Sequence, residues 1–81
     1  MREDRPPRFK RSFRRFPPEV DKAFEKQARF PLQDIRHPSL RAKKYDESND
    51  IWQARVNRNV RFFFTIKGDL IILLDIEKHR G

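Results

Sequence analysis

The chain has 81 residues, of which 20 are Lys or Arg, 12 are Asp or Glu and none is Cys, for a formal charge of +8. That length allows one domain, which buries only about 60% of the surface its unfolded form exposes. Without cysteine there is no disulfide framework and no thiolate metal site. No apolar run approaches the roughly 20 residues of a membrane span, and no apolar signal core follows the N-terminal basic residues. The expectation is therefore a soluble, untargeted, cytoplasmic protein. The basic excess points to a polyanionic partner, with nucleic acid ahead of a membrane surface, because each phosphate contact releases counterions.

Residues 1–8, MREDRPPR, show no periodicity and contain Pro6-Pro7, so they read as a flexible basic arm outside the folded unit of residues 9–81. Phe9, Phe13 and Phe16 fall at i, i+4 and i+7, with Lys10, Arg11, Arg14 and Arg15 on the remaining arc, which predicts a short helix ended by Pro17-Pro18. Pro18 suits the first turn of a second helix, and Glu19 and Asp21 sit near the positive end of its dipole. Val20, Ala23, Phe24 and Ala28 form its apolar face to about Phe30, where Pro31 is expected to stop it. In the connector that follows, Leu32 and Ile35 are expected to tuck under the helix and His37 to make a local hydrogen bond.

Four strands are predicted at about 40–45 (LRAKKY), 51–56 (IWQARV), 60–66 (VRFFFTI) and 70–76 (LIILLDI). Their short polar loops suit an antiparallel meander. Parity then sets the faces. A three-residue Asn57-Arg58-Asn59 loop opposes Val56 to Val60, Ala54 to Phe62 and Trp52 to Phe64 as one apolar face, and leaves Arg55 beside Arg61 on the other. Asn59 is the candidate for a left-handed position there. The same rule applied to Lys67-Gly68-Asp69 opposes Ile66 to Leu70, Phe64 to Ile72 and Phe62 to Leu74. It sets Arg61 against Asp75, with Glu77 and His79 emerging on the same side. Phe63, Ile71 and Leu73 also point to this second face, which reads as a partly apolar basic floor able to stack a base or bind a partner segment.

Arg55 and Arg61, in the middle of the floor, and His79, at its edge, are the candidate functional groups, guanidinium suiting phosphate and imidazole carrying a proton near neutral pH. Lys43, Lys44, Gln53, Arg58 and Arg80 are candidate RNA contacts, although Lys43 and Lys44, on successive positions, cannot share a face. Asp75 is the candidate that orients Arg61. Two separated histidines without cysteine offer no metal-ligand pattern, and no motif calls for a cofactor.

The run from FKRSFRRFPPEVDKAF through HPSLRAKKY and IWQARVNRNVRFFF to GDLIILLDIEKH, residues 9–79, resembles the RelE/ParE superfamily of bacterial toxins from toxin–antitoxin pairs. The resemblance implies an α+β fold, two N-terminal helices on one face of a four-stranded antiparallel sheet. It also implies a metal-independent endoribonuclease that cleaves mRNA by 2′-hydroxyl attack, often on the ribosome, and that is restrained by a cognate antitoxin. By position Arg55 and Arg61 match the family's strand cations and His79 its terminal basic group, which implies that these three are catalytic, the guanidinium groups stabilising the pentavalent phosphate and the imidazole moving protons. Gln53, Glu77 and Arg80 depart from the family's usual residues. These departures keep a second function class in view, a ParE-like gyrase inhibitor or a degenerate nucleic-acid-binding module.

Overall fold

Prolines set both helical starts. Described for residues 2–33 and 40–78, without the side chains of 30–33, the computed structural model contains β1 (Arg2–Asp4), α1 (Pro7–Phe13), α2 (Pro18–Gln33), β2 (Lys43–Asp46), β3 (Ile51–Arg55), β4 (Val60–Lys67) and β5 (Leu70–Lys78). Pro7 opens α1 at a position whose N–H has no partner in the helix, and Lys10 and Arg11 lie in its last turn, at the negative end of the dipole. Pro18 opens α2, with Glu19 and Asp21 in the first turn. Pro31 does not stop α2, which continues to Gln33. A proline's own φ is helical and its missing N–H removes one rung near the helix end, so here the expected terminator is accommodated. Among the described residues no helix is long and apolar enough to cross a membrane.

The sheet has five strands in the order β1-β5-β4-β3-β2, and β1 runs parallel to β5. The expected four-stranded antiparallel sheet is thus a mixed one. The expected arm accounts for the difference. Arg2, Glu3 and Asp4 pair with Leu70, Ile71 and Ile72, helped by an Arg2 N–H to Asp69 carbonyl bond of 2.7 Å. Nothing in the side-chain pattern of Arg2-Glu3-Asp4 announces a strand, because its pairing is made by the backbone. Arg5 then ties this strand to the helical layer. It donates from Nε to Glu3 at 2.6 Å and from Nη2 to Glu25 at 2.8 Å, and it lies over the Phe24 ring at 5.2 Å.

Both helices contribute to a single aromatic-rich core. Phe24 of α2 meets Phe9 and Phe13 of α1 at ring separations of 5.4 and 5.1 Å, and meets Phe62 of β4 edge-on at 5.2 Å. Phe62 stacks on Phe64, and Trp52 lies alongside Phe64. Phe16 lies past the end of α1 yet still packs on this core. Large rings supply much apolar area per residue, which is how so short a chain fills an interior.

The two central hairpins differ in phase. β3 and β4 pair as parity predicts, Trp52 to Phe64, Ala54 to Phe62 and Arg55 to Arg61, and the Val56 N–H donates to the Val60 carbonyl at 2.9 Å across the three-residue loop. Asn59 has no positive φ; among the described residues only Arg41, Asp50 and Gly68 do. Between β4 and β5 the expected register is wrong. Lys67 pairs with Leu70, so the turn is the two-residue Gly68-Asp69, with Gly68 at φ 60 in the first central position as type II′ turns require. Phe64 pairs with Leu73, but Phe63 pairs with Asp75, leaving Leu74 as the extra residue of a β-bulge. Consequently Ile71, Leu73 and Ile76 fill the core, while Ile72 and Leu74, expected inside, are half-buried. Ile71 and Leu73 are therefore not part of the open floor.

Candidate nucleic-acid interface

The face of the sheet turned away from the apolar core carries a cleft of about 310 Å³ lined by Arg41, Lys43, Gln53, Arg55 and Arg61. Strand alternation puts them together. Arg55 is directly opposite Arg61, and Lys43 is directly opposite Gln53, two residues from Arg55 on the same face of β3. The lining has four cations, one amide and no carboxylate.

Arg61 is held rather than free. It is 9% exposed, and its Nη1 donates to the carbonyls of Asn57 at 2.9 Å, Val60 at 3.2 Å and Arg58 at 3.5 Å. The odd loop that fixes the hairpin register also supplies two of these carbonyls, Asn57 and Arg58, so one local structure positions the strand and its guanidinium. Burial pushes the Arg61 pKa down, and the nearby charges of Arg55 and then Arg41 push it further the same way. Arg55 contributes a buried Nε with no hydrogen-bond partner among the described residues, while its carbonyl accepts a bond from Gln27 Nε2 at 2.8 Å. Like charges gathered without an acid form a site that an anion relieves.

Three expected roles change. Asp75 does not orient Arg61: the two-residue turn and the bulge together set it opposite Phe63, where its Oδ1 accepts the Ile76 N–H at 2.9 Å and its Oδ2 lies 3.7 Å from Arg8. The residue opposite Arg61 is Glu77. Lys44 lies outside the cleft, pairing with Asp50 and covering the Trp52 ring at 4.7 Å. Asp50 holds the Lys44 ammonium more strongly protonated than usual through that hydrogen bond. Arg58 is exposed in the loop and meets the site through its carbonyl, not its side chain. His37, His79 and Arg80 lie outside the described residues. No group of three or more His, Cys, Asp or Glu residues able to hold a metal occurs among the described residues.

Arg41 is the cleft residue the sequence expectations omit. Its signal is parity, since Arg41, Lys43 and Tyr45 alternate along the predicted strand. In the structure Arg41 precedes β2 with a positive φ of 47, outside regular strand geometry, and still lines the cleft.

No protein-family model and no curated protein sequence matches this chain. Solved structures do. The chain is similar to a copper-bound mutant toxin from Helicobacter pylori, with 14% identity over 98% of this chain and 94% of that one and a TM-score of 0.79. It is similar to a chain of the RelB–RelE antitoxin–toxin complex from Methanococcus jannaschii, with 16% identity, 93% and 88% coverage and a TM-score of 0.76. A YoeB–YefM complex from Staphylococcus aureus matches 99% of this chain and 98% of its own at 12% identity and a TM-score of 0.76. The α+β architecture is thus the one that RelE-like toxins share.

Proposed function

We propose that this chain, with its RelE-like fold, is the toxin of a toxin–antitoxin pair in the RelE/ParE superfamily and that it cleaves messenger RNA, repressing translation. The observation that carries the reading is the acid-free cleft of Arg41, Lys43, Arg55 and Arg61 on the open sheet face. A phosphodiester seated there meets guanidinium groups fixed in advance, Arg61 by three carbonyls, so charge growing on the pentavalent phosphate is stabilised without reorganisation. The 2′-oxygen attacks the adjacent phosphorus as the bond to the 5′-oxygen breaks, leaving a cyclic phosphate on one fragment and a 5′-hydroxyl on the other. A base removes the 2′-hydroxyl proton and an acid delivers one to the leaving oxygen. His79 is the chain's candidate for proton transfer on the titration range of imidazole. The RelB–RelE structure is an antitoxin–toxin complex, and the equivalent partner here covers the cationic face with an acidic or apolar segment.

Expression of the chain in bacteria tests this. The expected result is halted protein synthesis with messenger fragments bearing 5′-hydroxyl ends, and Arg55→Ala lowering cleavage about a hundredfold or more in a folded protein. DNA breaks with intact messenger, or undiminished toxicity of folded Arg55→Ala, overturn it. In vitro, affinity for single-stranded RNA falls with salt at a log–log slope of about −0.7 per phosphate contact. Arg41→Gly, which suits the positive φ, makes that slope shallower by about one such contact for every RNA sequence.

A further inference from the structure

Beside the cationic cleft is a second cavity, of about 380 Å³, lined by Arg8, Tyr45, Ile51, Phe63, Leu74, Asp75 and Glu77. Three features distinguish it from ordinary surface. Tyr45 is 61% exposed, the only large hydrophobic residue so exposed among those described, and its ring stands edge-on to Phe63 at 4.9 Å. Both of its side walls are β-bulges. The register shift between Lys44 and Asp46 makes Tyr45 the extra residue of β2, and that between Phe63 and Phe64 makes Leu74 the extra residue of β5. Bulges re-aim side chains, and two of them converge on this cavity from opposite sides of the sheet.

The third feature is adjacency. Phe63 is directly opposite Gln53 of the cleft and two residues from Arg61 on the same face of β4, about 7 Å along the strand. We infer that this cavity is a base-binding subsite for the RNA whose phosphate occupies the cleft, and that it selects guanine. The inference rests on the nucleic-acid reading of the cleft. Tyr45 and Phe63 offer the aromatic surface on which an unstacked base packs. Asp75 is engaged by the Ile76 N–H and by Arg8, whereas Glu77 has no hydrogen-bond or ion-pair partner among the described residues. A lone carboxylate accepts the two adjacent donors of guanine, N1–H and the N2 amine, and Arg8 at the rim supplies a donor for O6. Uracil presents one N–H between two carbonyl oxygens, which a carboxylate repels.

The test uses the full chain and 2′-O-methyl pentanucleotides of uridine with G, A, C or U at the centre, whose blocked 2′-oxygen cannot react. Fluorescence anisotropy is expected to show the G oligonucleotide binding about tenfold more tightly than all-U. Glu77→Gln brings the four within about twofold of one another. Tyr45→Ala, an exposed site that leaves the core intact, weakens all four by roughly tenfold through lost stacking. Equal binding of the four centres by the unaltered chain, or a silent Tyr45→Ala, overturns the subsite while the cleft reading stands. Absence of binding to any oligonucleotide removes the cleft reading and the subsite together.

Discussion

The two hairpins that share β4 solve one problem in opposite ways. β3–β4 keeps strict alternation through a three-residue loop, so one face runs Trp52, Ala54, Phe62, Phe64 and the other brings Arg55 to Arg61. β4–β5 turns in two residues and then inserts Leu74, which changes phase halfway along a nine-residue strand. Before the bulge the odd residues Ile71 and Leu73 face the core, and after it the even residue Ile76 does. The open face changes character at the same point, from half-buried Leu70 and Ile72 to the carboxylates Asp75 and Glu77. The regular hairpin thus builds a uniform cationic cleft, and the bulged one places acid beside it without losing any inward apolar residue.

The largest effect that can break this comparison lies at the phase change itself. Leu73→Ala removes a side chain that is 1% exposed, and a loss of about 2–5 kcal/mol is expected in urea denaturation. Leu74→Ala at the half-buried bulge should cost less than about 1 kcal/mol. A hairpin without the bulge, turning over Lys67-Gly68-Asp69, reverses that order, because it places Leu74 inside and Leu73 outside. Equal or reversed losses would therefore restore the unbulged register.

The turns give the next effect. Gly68 sits at φ 60 with nothing within 4 Å of an added Cβ, so Gly68→Ala tests backbone conformation alone and should cost about 1–2 kcal/mol. Asn59→Ala, at an exposed loop residue without positive φ, is expected within about 0.5 kcal/mol of the unaltered chain. If Asn59→Ala proves the costlier of the two, the left-handed position lies in the three-residue loop after all.

The same contrast explains what could be read in advance. The start of α2, the aromatic core and the Arg55–Arg61 pair were legible because period, proline and parity agree in those segments, whereas α1 opens at Pro7, inside the expected arm. They agree in β3–β4 because charged residues mark one face and rings the other. In β5 the run Leu70-Ile71-Ile72-Leu73-Leu74 carries no polar residue to declare a phase, so the parity rule had nothing to choose with and defaulted to an unbroken strand. The displacement of Asp75 from Arg61 is two positions, one from the two-residue turn and one from the inserted Leu74. β1 was invisible for a different reason: three charged residues joined through backbone bonds leave no hydropathy pattern. Arg41 lined the site from a backbone position that regular strand geometry does not extend to.

Excising Leu74 sharpens the comparison most. The residues on either side keep their partners, Leu73 with Phe64 and Asp75 with Phe63, and the shortened strand alternates inward Leu73, outward Asp75, inward Ile76 with no interruption. The deletion chain is therefore expected to fold with a smaller loss than Leu73→Ala in the same urea titration. Leu74 lines the cavity beside Tyr45 and Phe63, and a bulge adds local twist, so its removal alters that cavity while Arg55 and Arg61 on the regular hairpin keep their pairing. RNA affinity should then retain its salt dependence and lose its preference for guanine. If the deletion abolishes folding, the bulge is part of what holds β5 on the core, and the two hairpins differ in stability as well as in the face they present.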